Sequence, residues 1–139
     1  MSRRGISTGS SFEAKYGYSR AVIDDEWIFI SGTTGFDYVT GAINEDVANQ
    51  TRRALATIKE VLAQAGAAFG DVVRAQIFIA DQADADRVLK TYGDIVGAEV
   101  GEGVRPAATA VISRLIDDRM KVEIEITARR STSQHDLGA

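Results

Sequence analysis

From Met120 to Ala128 the chain alternates without a break. Met120, Val122, Ile124, Ile126 and Ala128 fall on one side, Lys121, Glu123, Glu125 and Thr127 on the other. A helix would scatter these residues around its circumference, so a period of two predicts a strand with one buried and one polar face. That commits the chain to a sheet packed on at least one side. Glu123 and Glu125 then share the polar side ~7 Å apart, at roughly 3.3–3.4 Å per residue. A carboxylate fixed on a strand can act as general base or hold a water. It can equally be an ordinary solvated strand residue, since charged side chains seldom stay buried. Both readings stand at this point.

The rest of the chain supplies partners for that strand. Tyr18 to Ile23 and Trp27 to Ser31 read as two strands joined across Asp24-Asp25 as a tight hairpin. Apolar spacing at Val47, Ala54, Leu55, Ile58, Val61, Leu62 and Ala65 predicts a helix over about 45–65, stopped by Gly66. Residues 71–80 read as a strand with Val73, Ala75, Ile77 and Ile79 on one face. A second helix is expected over about 83–96, with Val88, Leu89, Tyr92, Ile95 and Val96 as its stripe, and two last strands over about 107–115 and 119–129. The order ββ-α-β-α-ββ predicts an α+β sandwich: a mixed sheet of five or six strands with two helices on one face. Trp27, Phe29 and Phe78 would then leave the other face apolar and uncovered, and such a face is expected to bury itself against copies of the same chain.

With 139 residues and 45% hydrophobic composition, the chain reads as a single domain spanning 1–139, its ordered core about 16–129. The polar, Gly/Ser-rich first ten residues are expected to be a mobile lead-in, and residues 130–139 a disordered tail. No apolar run approaches the ~20 residues of a membrane span and no secretory signal is evident, so a cytoplasmic protein without membrane contact is expected. Cysteine is absent, which removes disulfides, thiolate nucleophiles and cysteine metal sites. The net charge of −4 argues against a nucleic-acid partner. The single histidine, His135, falls in the expected tail, so a Ser/His/Asp triad or histidine base is not expected. No phosphate-loop or calcium-loop spacing occurs. Gly32-Thr33-Thr34-Gly35 and Gly101-Glu102-Gly103 read as turn chemistry, and Asn49-Gln50-Thr51 as part of a helix instead of a glycosylation site.

Six segments in order carry a family likeness: Tyr18-Ser19-Arg20-Ala21-Val22, Trp27 to Gly32, Gln50-Thr51 with Ala65-Gly66, Asp71-Val72-Val73, Arg105-Pro106-Ala107-Ala108-Thr109, and Val122-Glu123-Ile124-Glu125. Together they span about 16–129, and the chain resembles the Rid (reactive intermediate deaminase, YjgF) family. The resemblance implies a chorismate-mutase-like fold and a homotrimer with small-molecule clefts between subunits. In members with the activity, those clefts hydrolyse enamines and imines to a carbonyl compound and ammonia. Neither metal nor organic cofactor is implied. Tyr18 matches the aromatic residue lining the cleft, Ser31 and Gly32 the strand-end pair that contacts ligand, and Glu123 the carboxylate that positions water.

One family position departs. Deaminase members carry an arginine directly after the Pro-Ala, where it forks onto the substrate carboxylate, and here Ala108 occupies that place. A one-residue gap would move the match to Ala107 with the same result, and a methyl group does not replace a bidentate guanidinium. A second polar family position falls at about Leu89. Three expectations follow: Arg105 or Arg119 enters the cleft instead; the substrate lacks a carboxylate there and a more apolar pocket with Tyr18 and Leu89 selects it; or the cleft binds without catalysis.

Overall fold

A computed structural model describes residues 2–131. Six strands form one mixed sheet: β1 (Arg3–Ile6), β2 (Ala21–Asp24), β3 (Trp27–Thr34), β4 (Val72–Ile79), β5 (Ala107–Ile112) and β6 (Val122–Arg129), in the order β1-β2-β3-β6-β4-β5. The alternating strand β6 therefore lies in the interior, antiparallel to both β3 and β4. Its buried set is the expected one, with Val122, Ile124, Ile126 and Ala128 facing the core. β4 and β5 run parallel, as a strand-helix-strand crossover requires.

The helices are α1 (Ser11–Tyr16), α2 (Val47–Gln64) and α3 (Ala85–Val100). Asp46 caps α2 by accepting from the Asn49 N–H at 2.9 Å, a contact worth about 1 kcal/mol. Gly66 follows its end at φ 74, the left-handed conformation that glycine adopts without steric cost. The apolar stripe of α2 packs with Val88, Tyr92 and Val96 of α3 onto Ile28, Ile30, Ile77, Ile79 and the buried side of β6. Each fully buried Ile or Leu contributes about 1.5–3 kcal/mol of transfer free energy.

The α+β class and the single core agree with the sequence, while several details differ. The start of the chain is ordered: β1 pairs with β2, placing Arg3 opposite Asp24, and α1 adds a third helix capped by Ser10. The polar residues there are an edge strand and a capped turn of helix, so the core does not begin at residue 16. The first hairpin turns at Asp25-Glu26, since Asp24 pairs with Trp27, and Asp25 takes φ 55. In β4 the register shifts between Val72 and Arg74, which buries Val72 and turns Val73 outward. Arg130 is held as well, donating to the Ala65 and Asp25 carbonyls. The remaining tail, with His135, lies outside the described residues.

The side of the sheet away from α2 and α3 carries Trp27 and Phe29, 41% and 47% exposed and stacked at 6.4 Å. Every residue of the edge strand β5 is exposed, including Val111 and Ile112.

Candidate functional site

The site begins with an irregularity in β3. Between Ile30 and Thr33 the strand holds one residue more than its partner β6, so Ser31 and Gly32 form a bulge. A bulge turns the strand and re-aims its side chains. Here it buries Thr33 and Thr34 in succession and brings the Gly32 Cα against the Glu123 side chain. The start of β6 is fixed from the other side by the buried amide of Gln50. It donates to the Asn44 and Arg119 carbonyls at 2.7 and 2.9 Å and accepts from the Lys121 N–H at 2.9 Å.

Around this junction lies a half-open cavity of about 270 Å³. Tyr18, Ser31, Gly32 and Glu123 all line it, joined by Phe12, Tyr16, Thr34, Tyr38, Ile116 and Met120. Helix α1 supplies the aromatic wall. It ends at Gly17 with φ 72, and the Tyr18 N–H donates back to the Glu13 carbonyl at 3.0 Å, which turns Tyr18 into the cavity wall.

Behind this wall Arg20 is wholly buried, at 0% exposure. Its Nη1 donates to the Gly32 carbonyl at 2.7 Å and to Thr33 Oγ1 at 3.1 Å, and its Nη2 donates to Tyr18 Oη at 3.2 Å. The guanidinium also sits over the rings of Tyr38 and Tyr18, at 4.5 and 5.5 Å from their centroids. A buried cation is costly unless it is hydrogen-bonded and compensated. Two carbonyl and hydroxyl acceptors, a phenol and two π faces supply that compensation.

Burial pushes the Glu123 carboxyl above the ordinary carboxylate value. The Arg20 charge opposes that shift, and neighbouring Glu125 adds to it. Glu125 itself is exposed, so the two carboxylates of β6 differ in environment although they share a side. Burial also raises Tyr18, with Arg20 again pulling the other way, so Tyr18 is a neutral phenol at neutral pH. Glu13, in the first turn of α1, is pushed up by burial but held below the ordinary value on balance by hydrogen bonds from Thr8.

Four other candidates fall away from this cavity. Arg119 turns back on Asp117 in a fork of 3.1 and 2.9 Å and lies over the Phe36 ring, holding the Asp117 carboxyl down at about 2. It is therefore not beside Glu123 in the protomer. Its neighbour in sequence, Asp117, captures it locally. Arg105 is exposed in the segment leading into β5. Leu89, expected in the α3 stripe, is 40% exposed on the outside of that helix. Ala108 sits on edge strand β5 opposite Ala75, also exposed. Within one protomer these positions are separate from Glu123.

Sequence reasoning assigned no role to Arg20, Phe12, Tyr16 or Tyr38. An arginine in an alternating strand start carries no burial signal of its own. The aromatic cluster of α1 was hidden by a polar, Gly/Ser-rich lead.

A mixed sheet backed by helices, with a strand bulge aimed at one desolvated carboxylate in a cavity of small-metabolite size, defines a small-molecule pocket protein. The family described as Endoribonuclease L-PSP matches residues 8–130. A human 2-iminobutanoate/2-iminopropanoate deaminase is 32% identical over 127 residues, covering 91% of this chain and 89% of the relative. The crystal structure of a Mycobacterium tuberculosis member of the YjgF/YER057c/UK114 family gives a TM-score of 0.79 at 36% identity, covering 92% of this chain and 99% of that one. The structure of the Escherichia coli YjgF gene product gives 0.81 at 29% identity, with 92% and 99% covered. This chain belongs to the Rid (YjgF) family.

Proposed function

We propose that this protein is a Rid-type hydrolase that removes ammonia from a small reactive imine or enamine. Supporting the reading most is the meeting of Tyr18, Ser31 and Gly32 with a desolvated Glu123 in one cavity. In this account Glu123 holds a water and takes its proton as the oxygen adds to the C=N carbon. The resulting carbinolamine collapses with proton return to nitrogen, so imine and water become a carbonyl compound and ammonia. Ser31 and the Gly32 backbone contact the ligand, and Tyr18 packs on it. No cofactor takes part.

The active assembly is a homotrimer whose clefts lie between subunits, with exposed β5 and the Trp27–Phe29 face as the buried surfaces. In that assembly Ala108, Leu89 and Arg105 approach the cavity from a neighbouring copy. Ala108 leaves no guanidinium to fork onto a carboxylate, so the substrate differs from an ordinary 2-imino acid. A net charge of −4 and a carboxylate in the cavity favour a small metabolite over RNA. The second reading, binding without turnover, draws on the aromatic wall of Phe12 and Tyr16. A cation close behind Glu123, Arg20, favours the hydrolase. Ammonia release from a panel of imines generated in the assay tests the reading, and no release above the uncatalysed rate for any of them would overturn it.

A further inference from the structure

The hydrogen bonds around the cavity fix which of its groups give and which accept. Ser31 Oγ donates to the Ser19 carbonyl at 2.8 Å, so its only hydrogen is engaged and its lone pairs are what it can offer a ligand. Glu123 as a carboxylate only accepts. Tyr18 is the opposite case. Its oxygen accepts from Arg20 Nη2 at 3.2 Å, and its own hydrogen has no protein acceptor among the described residues, on a ring that lines the cavity. The guanidinium cannot accept, so the direction of that bond is not in doubt.

We propose that Arg20 is a positioning residue of this pocket: donating to the Tyr18 oxygen from behind, it reserves the phenol hydrogen for the ligand. The pocket therefore takes a small molecule with an acceptor group such as a carbonyl at one end and N–H groups at the other. The N–H end meets Ser31 and Glu123, and the acceptor meets Tyr18. This rests on the imine or enamine reading above and adds to it a second, acceptor-bearing functional group on the substrate. Arg20 is built for the task. Nη1 anchors it to the bulge through the Gly32 carbonyl and Thr33, Nη2 reaches the phenol, and the Tyr38 ring closes its face. The buried Nε has no partner, so the side chain is held at its far end by bonds aimed at the pocket wall. The same charge faces Glu123 and favours its ionised, proton-accepting form.

The test uses the whole chain without any assumed substrate. Carbon-13 NMR titration of the Glu123 carboxyl is followed in wild type and in Arg20→Gln. A positioning charge predicts that the Glu123 pKa rises in the variant. A loosened, solvated pocket would instead move it down toward the ordinary value, and that result, or no change, overturns the proposal. Benzamide is the ligand probe, its carbonyl accepting and its amide N–H groups donating. It should bind wild type saturably and Tyr18→Phe about tenfold more weakly, the loss of one hydrogen bond. Arg20→Gln should cost less binding in the Tyr18→Phe background than in wild type, because the part of its effect that passes through the Tyr18 bond is already lost there. Equal binding by wild type and Tyr18→Phe, or no binding by wild type, overturns the ligand class. If Arg20→Gln does not fold, Arg20→Lys, which keeps the charge and loses the fork that joins the bulge to the phenol, takes its place in the benzamide titration, and binding equal to wild type overturns the role of Arg20. Failure to release ammonia from imines, with these results intact, removes the hydrolase reading and leaves Arg20 its role.

Discussion

Gly32 lies directly against Glu123: a Cβ on Gly32 would stand 2.7 Å from Glu123 Cδ and closer still to Oε2. The space a side chain would take on the β3 bulge is filled by the carboxylate of β6. Gly32→Ala must therefore push the Glu123 head group aside, which a flexible side chain can do cheaply. Gly35 offers the contrast, because a Cβ there would meet Gln50 Cβ and Cα at 2.6 and 2.7 Å, and α2 backbone cannot swing away. Gly35→Ala is expected to lose about 1–3 kcal/mol of stability in denaturant melts, the usual range for overpacking. Gly32→Ala should melt near wild type and lose turnover. Equal stability losses would mean Glu123 is not free to move.

Stability against pH reads the environment of Glu123 independently of any substrate. Its folded pKa lies above the ordinary value because burial disfavours the charge. The stability it contributes is thus complete below the unfolded carboxyl pKa and is lost as pH rises through the raised folded value. Glu123→Gln should melt higher than wild type at neutral pH, and the difference should vanish on the acid side. A constant difference across the range would show that Glu123 is not desolvated.

Assembly is testable at the edge strand. A protomer that exposes Val111, Ile112, Trp27 and Phe29 should exist as a closed trimer at micromolar concentration in sedimentation equilibrium. A stable monomer there would contradict the assembly.

How much of this was legible beforehand follows from which physical signals are local. The alternation of residues 120–128 placed Glu123 and its buried neighbours correctly, because a period of two survives any register. The likeness of the Trp27–Gly32 and Val122–Glu125 segments brought Ser31, Gly32 and Glu123 to one place, and the cavity holds all three. What could not be read is set by partners far away in sequence. Val73 left its face because of a one-residue shift against β6, and Arg119 was captured by Asp117 instead of turning toward Glu123. Arg20 drew no role from the sequence, because the carbonyl, the hydroxyl and the two rings that bury it come from the bulge and from Tyr18 and Tyr38.

On the proposed reading, in which Ala108 stands where deaminase members carry an arginine, the substrate range is restricted. Losing a buried charge-assisted pair costs about 2–5 kcal/mol, so imines of ordinary 2-amino acids, generated with an amino-acid oxidase, should release ammonia barely above the uncatalysed rate. A rate equal to that of arginine-bearing relatives would mean that another cation, such as Arg105 from a neighbouring copy, fills the place.

The most direct measurement compares ammonia release by wild type, Glu123→Gln and Glu125→Gln on whichever imine or enamine wild type turns over best. Glu123→Gln keeps the shape and removes the base, so it should fall by about 10²–10⁴-fold with the trimer intact. Glu125→Gln, changed at an exposed carboxylate, should stay close to wild type. Equal effects of the two substitutions, or full activity in Glu123→Gln, would contradict the assignment of Glu123 as the water-holding base.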